Sequence, residues 1–310
     1  MRVVFYGTPP FALPTLHALL ARHLVVAAVT QPDRPAGRGR RTQASPIKAV
    51  ALEHGIPVLQ PARLRDPGWP ERLAAHPADV AVVVAFGQIL PPAVLDVPPR
   101  GSINVHASLL PRYRGAAPIA WAIIRGERET GITTFRMDAG MDTGPVLLQR
   151  PTAIGPEETA GELAERLAVL GATVLLETLD RLDGLVSRAQ DAPAAIRAPR
   201  LRTEAGRLDW TEPAAALVAR VRGVNPWPGG VTLTSGGRRL LIWRARAIEG
   251  QGEPGVLTPT AGGLAVGTGE GLLEPVEVQP ENRRAMTWDA YLRGARLGPG
   301  APLGAPVPRL

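Results

Sequence analysis

An open, mostly parallel α/β sheet followed by a small all-β domain is the fold class this sequence predicts. Three observations carry it. Apolar runs at 2–6, 24–30, 79–86 and 101–106 are nearly continuous rather than alternating, as buried parallel strands require. Helical stretches separate them, and that alternation builds an α/β layer whose ligands sit at the carboxyl ends of the strands. Beyond residue 206 the pattern changes to five or six short β-type segments, which suggests a small barrel or sandwich.

The first strand ends in "FYGTPPFALP". Gly7 stands alone where a dinucleotide fingerprint needs three glycines. Prolines at 9 and 10 remove two amides that could hold phosphate, and no Walker motif appears. Asp33, after the second strand, reads as a turn residue. A helix over 45–55 has Ser45 as N-cap, Pro46 at its first position and Gly55 as terminator. A longer helix opens with a Thr159/Glu162 capping box and places Leu163, Leu167, Leu170 and Val174 on one face. Residues 187–206 carry proline, alanine and charge without apolar period and read as a linker. A short helix near 212–222 follows, then a hairpin turning at Gly236–Gly237 and a second over "LAVGTGEGLLEPVEV". The expected domains are 1–188, a linker over 189–206, and 207–310.

Composition narrows the function classes. Apolar residues make up 45% of the 310, enough for a sizeable core, and cysteine is absent, which removes disulfides and thiolate catalysis. The run "VAVVVAF" at 80–86 is too short to cross a bilayer, and no signal-peptide pattern is present, so a soluble cytoplasmic protein with no membrane partner is expected. Net charge is +7, and Lys48 is the only lysine among 35 basic residues. From Arg34 through Lys48 there are five positive charges and no acid. An anionic partner such as RNA fits that pattern, as does a merely solvated basic surface.

The chemistry points to "INVHASLLPRYRGAAPI". Asn104 and His106 are two apart on a strand and leave the same face. His106 can exchange a proton near neutral pH, and Asn104 offers an amide donor for a developing oxyanion. Both suit acyl transfer. The loop "MDAGMDTG" supplies Asp138 and Asp142, with Gly140 and Gly144 allowing a tight turn that brings a carboxylate inward. Taken singly, each residue has a structural explanation: a bonded core histidine, a turn-capping asparagine, a loop-closing acid. Together they make a site. No metal site is expected: no H-x-E or H-x-x-x-H pair lies near His106.

These motifs resemble the folate-dependent formyltransferases, in which an Asn, a His and an Asp move a formyl group from 10-formyltetrahydrofolate to an amine. "GTPPFALPTL", "TQPDRPAGRGRR", "VVVAFGQILP", "RLDW" and "NPWPGG" are similar to the branch whose amine is the methionine of initiator methionyl-tRNA. The resemblance covers essentially the whole chain. It implies a Rossmann-like catalytic domain, an OB-like β-barrel that binds tRNA, and a role in translation initiation. It assigns catalysis to Asn104, His106 and Asp142. It implies a folate pocket lined by Phe86, Gly87, Gln88, Ile89, Leu90, Ser108, Leu109, Leu110 and Pro111, with Asp138. It places Arg34, Arg38, Arg40 and Arg41 on the tRNA, Arg38 foremost. Arg41, Arg200 and Arg284 stand where the family pattern has lysine; charge is kept, but arginine is not lysine at an exacting contact. A monomer is expected. The alternatives are a formyltransferase for a small amine, a formyltetrahydrofolate hydrolase, and a non-catalytic RNA-binding protein.

Overall fold

The computed structural model describes residues 1–36 and 41–304. It divides into two compact units, Met1–Pro118 with Glu129–Ala153 and Ala164–Ala198, and Ile119–Arg128 with Ile154–Leu163 and Pro199–Leu310. Along the chain to residue 180 the strands are β1 (Arg2–Gly7), β2 (Leu24–Val29), β3 (Arg34–Ala36), β4 (Arg41–Gln43), β5 (Val58–Leu59), β6 (Val80–Val84), β7 (Ser102–His106), β8 (Glu129–Arg136) and β9 (Val146–Ala153). The helices are α1 (Leu13–Arg22), α2 (Pro46–Glu53), α3 (Trp69–Ala74), α4 (Pro92–Leu95), α5 (Pro118–Ile124) and α6 (Ala160–Asp180).

The first unit is built on a seven-stranded sheet of order β5-β2-β1-β6-β7-β8-β9. The four apolar runs form β1, β2, β6 and β7, which are parallel, with β5 parallel at the edge. β8 runs antiparallel to β7, and β9 antiparallel to β8. Five adjacent parallel strands thus give way to a reversed strand, as "mostly parallel" anticipates. β6 is buried at every residue, which is why its sequence does not alternate. Val4, Tyr6, Val29, Leu64, Phe86 and Leu90 share a core cluster; burying each large aliphatic side chain there contributes roughly 1.5–3 kcal/mol.

The local signals act as their chemistry requires. Ser45 Oγ accepts from the Lys48 amide at 3.1 Å, Pro46 opens α2, and Gly55 adopts φ +65° beyond its end. Thr159 Oγ1 accepts from the Glu162 amide at 3.3 Å while the Thr159 amide donates to Glu162 Oε2 at 2.8 Å, a reciprocal capping box. Those bonds and Arg244 hold the Glu162 carboxyl at about 2, well below the usual carboxylate range.

The second unit continues with α7 (Ala214–Gly223), β10 (Gly230–Leu233), β11 (Arg239–Ile248), β12 (Leu257–Thr260), β13 (Gly263–Gly267), β14 (Leu272–Pro280), β15 (Met286–Thr287) and α8 (Trp288–Ala295). The strands form one antiparallel sheet ordered β10-β11-β14-β13-β12, with β15 on β14. β10 and β12 are the ends of that path, so pairing among the described strands makes an antiparallel sheet without closing it into a barrel. Both expected hairpins are present, β10–β11 and β13–β14, and Gly237 turns the first with φ +71°. Trp210, Leu217, Val221, Ile242, Val266 and Trp288 lie in its core. No helix among the described residues is long and apolar enough to cross a membrane.

Candidate active site

β7 lies between β6 and β8 and ends at His106, opposite Thr133 of β8. Val105 packs toward Gly171 of α6, so the alternating Asn104 and His106 leave the opposite face. The His106 side chain is 8% exposed. Its Nε2 lies 3.0 Å from the Tyr113 carbonyl oxygen, which can only accept, so Nε2 carries a proton in that bond. Nδ1 is left to exchange a proton, and Asp142 Oδ2 faces it at 3.8 Å. The Phe135 ring lies nearly perpendicular to the imidazole, with centroids 6.5 Å apart.

The loop from Met137 to Pro145 starts at the opposite end of β7 because β8 is antiparallel. Met137 N donates to the Ser102 carbonyl at 2.8 Å, Met137 Sδ lies 4.0 Å from Asn104 Nδ2, and Asp142 reaches His106. The loop therefore follows β7 from its first residue to its last. Its two acids do different work. Asp138 is exposed, and its Oδ1 accepts from the Gly140 amide at 3.0 Å and from Thr143 Oγ1 at 2.7 Å, folding the turn on itself. The Asp142 carboxylate instead accepts from the Gly115 amide at 2.8 Å. The glycines matter for room: a Cβ at Gly144 would run into the Arg136 carbonyl, and one at Gly140 into Thr143 Oγ1. The left-handed backbone belongs to Asp142 itself, at φ +56°.

The "SLLPRY" loop is tied to β8 and β9. Thr133 Oγ1 donates to the Ser108 carbonyl at 2.6 Å and accepts from the Leu110 amide at 3.1 Å. Gln149 Nε2 donates to the Leu110 carbonyl at 2.8 Å, and Ser108 Oγ to the Arg112 carbonyl at 2.6 Å. Ser108 and Leu110 are buried, Leu109 and Pro111 half-buried, and the Leu110–Pro111 peptide is cis.

The loop after β6 is arranged differently. Gly87, Gln88 and Ile89 line a cleft of about 540 Å³ with Gln31, Ala62, Leu64 and Pro91. Phe86 and Leu90 turn into the core, Phe86 edge-on to Tyr6 at 5.4 Å. Burial raises the Tyr6 phenol far above its ordinary range. Gln88 fastens the loop, its Oε1 accepting from the Leu64 amide at 2.8 Å and its Nε2 donating to the Pro61 carbonyl at 3.0 Å. Met137 packs against the clusters of both loops.

Arg38 and Arg40 lie outside the described residues. The backbones of Arg34 and Arg41 sit in the β3–β4 ladder, Arg34 opposite Gln43 and Arg41 opposite Ala36. Asp33, at the foot of that ladder, is more than a turn residue. It takes Lys48 Nζ at 2.5 Å and Gln60 Nε2 at 2.7 Å, and these bonds hold its carboxyl below the usual range. Sequence reading missed Thr133, Gln149 and Gln190. No local signal marks them, because each acts on a segment distant in the chain. No cluster of three metal-ligating side chains occurs among the described residues.

Comparison with known proteins defines the class. The formyl transferase family model matches residues 1–179, and the formyl transferase C-terminal domain model matches residues 200–296. The particular group follows from full-length relatives: the chain belongs to the methionyl-tRNA formyltransferase family. It is 49% identical over 308 residues to the methionyl-tRNA formyltransferase of Citrifermentans bemidjiense, covering 98% of this chain and 96% of that one. Against that of Solibacter usitatus it is 50% identical over 309 residues, covering 98% and 99%. Among solved structures, HypX from Aquifex aeolicus in complex with tetrahydrofolic acid superposes with a TM-score of 0.65 at 17% identity. That match covers all of this chain, which spans half the length of HypX, and shows a shared fold.

Proposed function

We propose that the protein transfers the formyl group of 10-formyltetrahydrofolate to the α-amino group of methionine on initiator methionyl-tRNA, and that Asn104, His106 and Asp142 carry the step. The observation behind the assignment is the His106–Asp142 pair, with Nε2 of the imidazole committed to a carbonyl and Nδ1 facing the carboxylate. An esterified α-amino group titrates below the 7.7–8.0 of a free one and is largely neutral at pH 7. The main demands are an oxyanion at the formyl carbon and a proton at the departing N10. Among the described residues, Asn104 Nδ2 has only a weak contact to a thioether sulfur, so it is available to donate to that oxyanion. One N–C bond forms at the amine, one breaks at N10, and one proton passes between the two nitrogens. Asp142 orients His106 for that passage.

Gly87, Gln88 and Ile89 fit the folate side, since their cleft offers one exposed aliphatic side chain and backbone close to solvent. The likeness of fold to a protein solved with tetrahydrofolic acid supports a folate co-substrate without locating it. Ser108, Leu109, Leu110 and Pro111 shape the loop behind His106, and Asp138 holds the turn that presents Asp142. For the tRNA, the basic segment Arg34–Arg41 is joined by a second unit in which Arg238, Arg239 and Arg283 line a cleft of about 760 Å³. A catalytic domain over 1–188, a linker over 189–206 whose residues to Ala198 pack with the first unit, a tRNA-binding domain over 207–310 and a monomeric state complete the reading.

The test is formyl transfer from 10-formyltetrahydrofolate to methionyl-tRNA, with free methionine, uncharged tRNA and sugar-nucleotide amines as controls. Product with the charged tRNA alone, falling steeply with salt, is expected. Folate turnover without formylated tRNA would overturn it.

A further inference from the structure

Three consecutive residues after the "SLLP" loop each hold a different part of the site. The Tyr113 carbonyl accepts from His106 Nε2 at 3.0 Å, and the Gly115 amide donates to Asp142 Oδ2 at 2.8 Å. Between them, the Arg114 guanidinium donates from Nε at 3.0 Å and Nη2 at 2.8 Å to one atom, Gln190 Oε1. The other end of that amide donates to two backbone carbonyls of the acid-bearing loop, Asp142 at 2.9 Å and Gly144 at 2.7 Å. A closed ring results: Arg114, Gly115, the Asp142 carboxylate, the Asp142 backbone, Gln190, and Arg114 again.

The chemistry of the ring selects an amide. Two guanidinium N–H groups need an acceptor on one side, and two carbonyls need an N–H donor on the other. Glutamine offers both on one planar group, and a reversed amide would face donors with donors and acceptors with acceptors. The supporting segment is itself anchored. Arg188 pairs with Val146 through two backbone bonds of 2.8 Å. Further on, Arg114 N donates to the Ile196 carbonyl at 2.8 Å, and Ala198 N to the Arg114 carbonyl at 2.7 Å. Gly115 approaches that segment so closely that a Cβ would lie 2.6 Å from the Ala198 oxygen. The stretch 188–198, aperiodic in sequence, stitches the His106 loop to the Asp142 loop.

We propose that Gln190 is a positioning residue for formyl transfer: it holds the left-handed backbone of Asp142 so that the carboxylate faces His106 Nδ1. The proposal rests on the assignment of His106 and Asp142 to catalysis. Gln190 touches neither His106 nor a reacting atom; it acts through Asp142. A shift of the order of 1 Å in a positioned group costs about 10²-fold in rate.

Gln190→Glu is the decisive variant. It preserves shape and the acceptor for Arg114 but has no N–H for the two carbonyls. The expected result is a kcat lower by about 10²-fold, with KM for both substrates within roughly twofold and a folded far-UV spectrum. The His106 imidazole ¹⁵N resonances should move as they do in Asp142→Asn. Arg114→Ala should lower kcat similarly, and Arg114→Ala/Gln190→Glu should be no slower than the slower single variant, because all break one ring. A Gln190→Glu enzyme with wild-type kcat and unmoved His106 resonances overturns the proposal, as does a loss confined to KM. Wild-type transfer is measured first. If the unsubstituted protein transfers no formyl group, the functional reading fails, and the ¹⁵N comparison still decides whether Gln190 positions Asp142 against His106.

Discussion

Two loops leave neighbouring parallel strands at the same sheet edge and are held in opposite ways. The loop after β7 turns polar atoms inward and bonds them: Ser108, Leu110, Tyr113, Arg114 and Gly115 all bond to other parts of the first unit. The loop after β6 takes its firmness from two core anchors, Phe86 and Leu90, from Gln88, and from Thr8 and Gln31, which donate to the Phe86 carbonyl at 3.1 and 3.2 Å. Between the anchors it leaves Ile89 70% exposed. One loop fixes reactive groups, for which sub-ångström placement matters. The other presents surface to a ligand, for which an anchored but open rim suffices.

The comparison can be broken by substitution. The largest stability effect should come from Leu90→Ala, since a 1%-exposed leucine leaves a cavity; a loss of about 2–5 kcal/mol is expected in denaturant unfolding. Asn104→Ala should instead leave stability nearly intact and lower kcat by about 10²–10³-fold, with tRNA affinity unchanged in a binding assay. If Asn104→Ala turns over at the wild-type rate, the polar loop is scaffolding and the contrast collapses. Gly144→Ala tests the room the acid-bearing loop needs. Pressing a Cβ onto the Arg136 carbonyl should cost roughly 1–3 kcal/mol and slow turnover through displaced Asp142. At the small end, Ile89→Ala should change stability by less than about 0.5 kcal/mol yet raise KM for the folate. An unchanged KM would remove Ile89 from the ligand rim.

A further prediction concerns the second unit. The Glu162 carboxyl is depressed in the folded protein, so its contribution is present above its unfolded value near 4.5 and is lost as pH falls toward about 2. Glu162→Gln should flatten the acid limb of a stability–pH curve over that window. The effect should be small, because the pair with Arg244 is well exposed.

Legibility in the sequence followed locality. Asn104 and His106 could be read because a period of two places them on one face, and Ser45, Thr159 and Gly237 because caps and turns are written in a few adjacent residues. The direction of β8 could not: "TGITTF" is buried like its neighbours, and orientation is set by the connection rather than by composition. The division of labour between Asp138 and Asp142 was equally hidden, since both are acids in one glycine-rich loop and only the contacts separate them. Gln190 lies in a stretch whose proline and alanine content suggested a linker. Its partners are 46, 48 and 76 residues away.

β7 has one further consequence. Asn104 and His106 alternate with Ile103 and Val105 on a five-residue strand pinned on both sides. A slip of a single residue in its pairing would exchange the two faces, sending the imidazole into the apolar layer and an isoleucine or valine into its place. Misregistered chains would therefore be inert as well as unstable. Specific activity during refolding would count correctly aligned sheets, a finer measure than any spectroscopic signal of strand content.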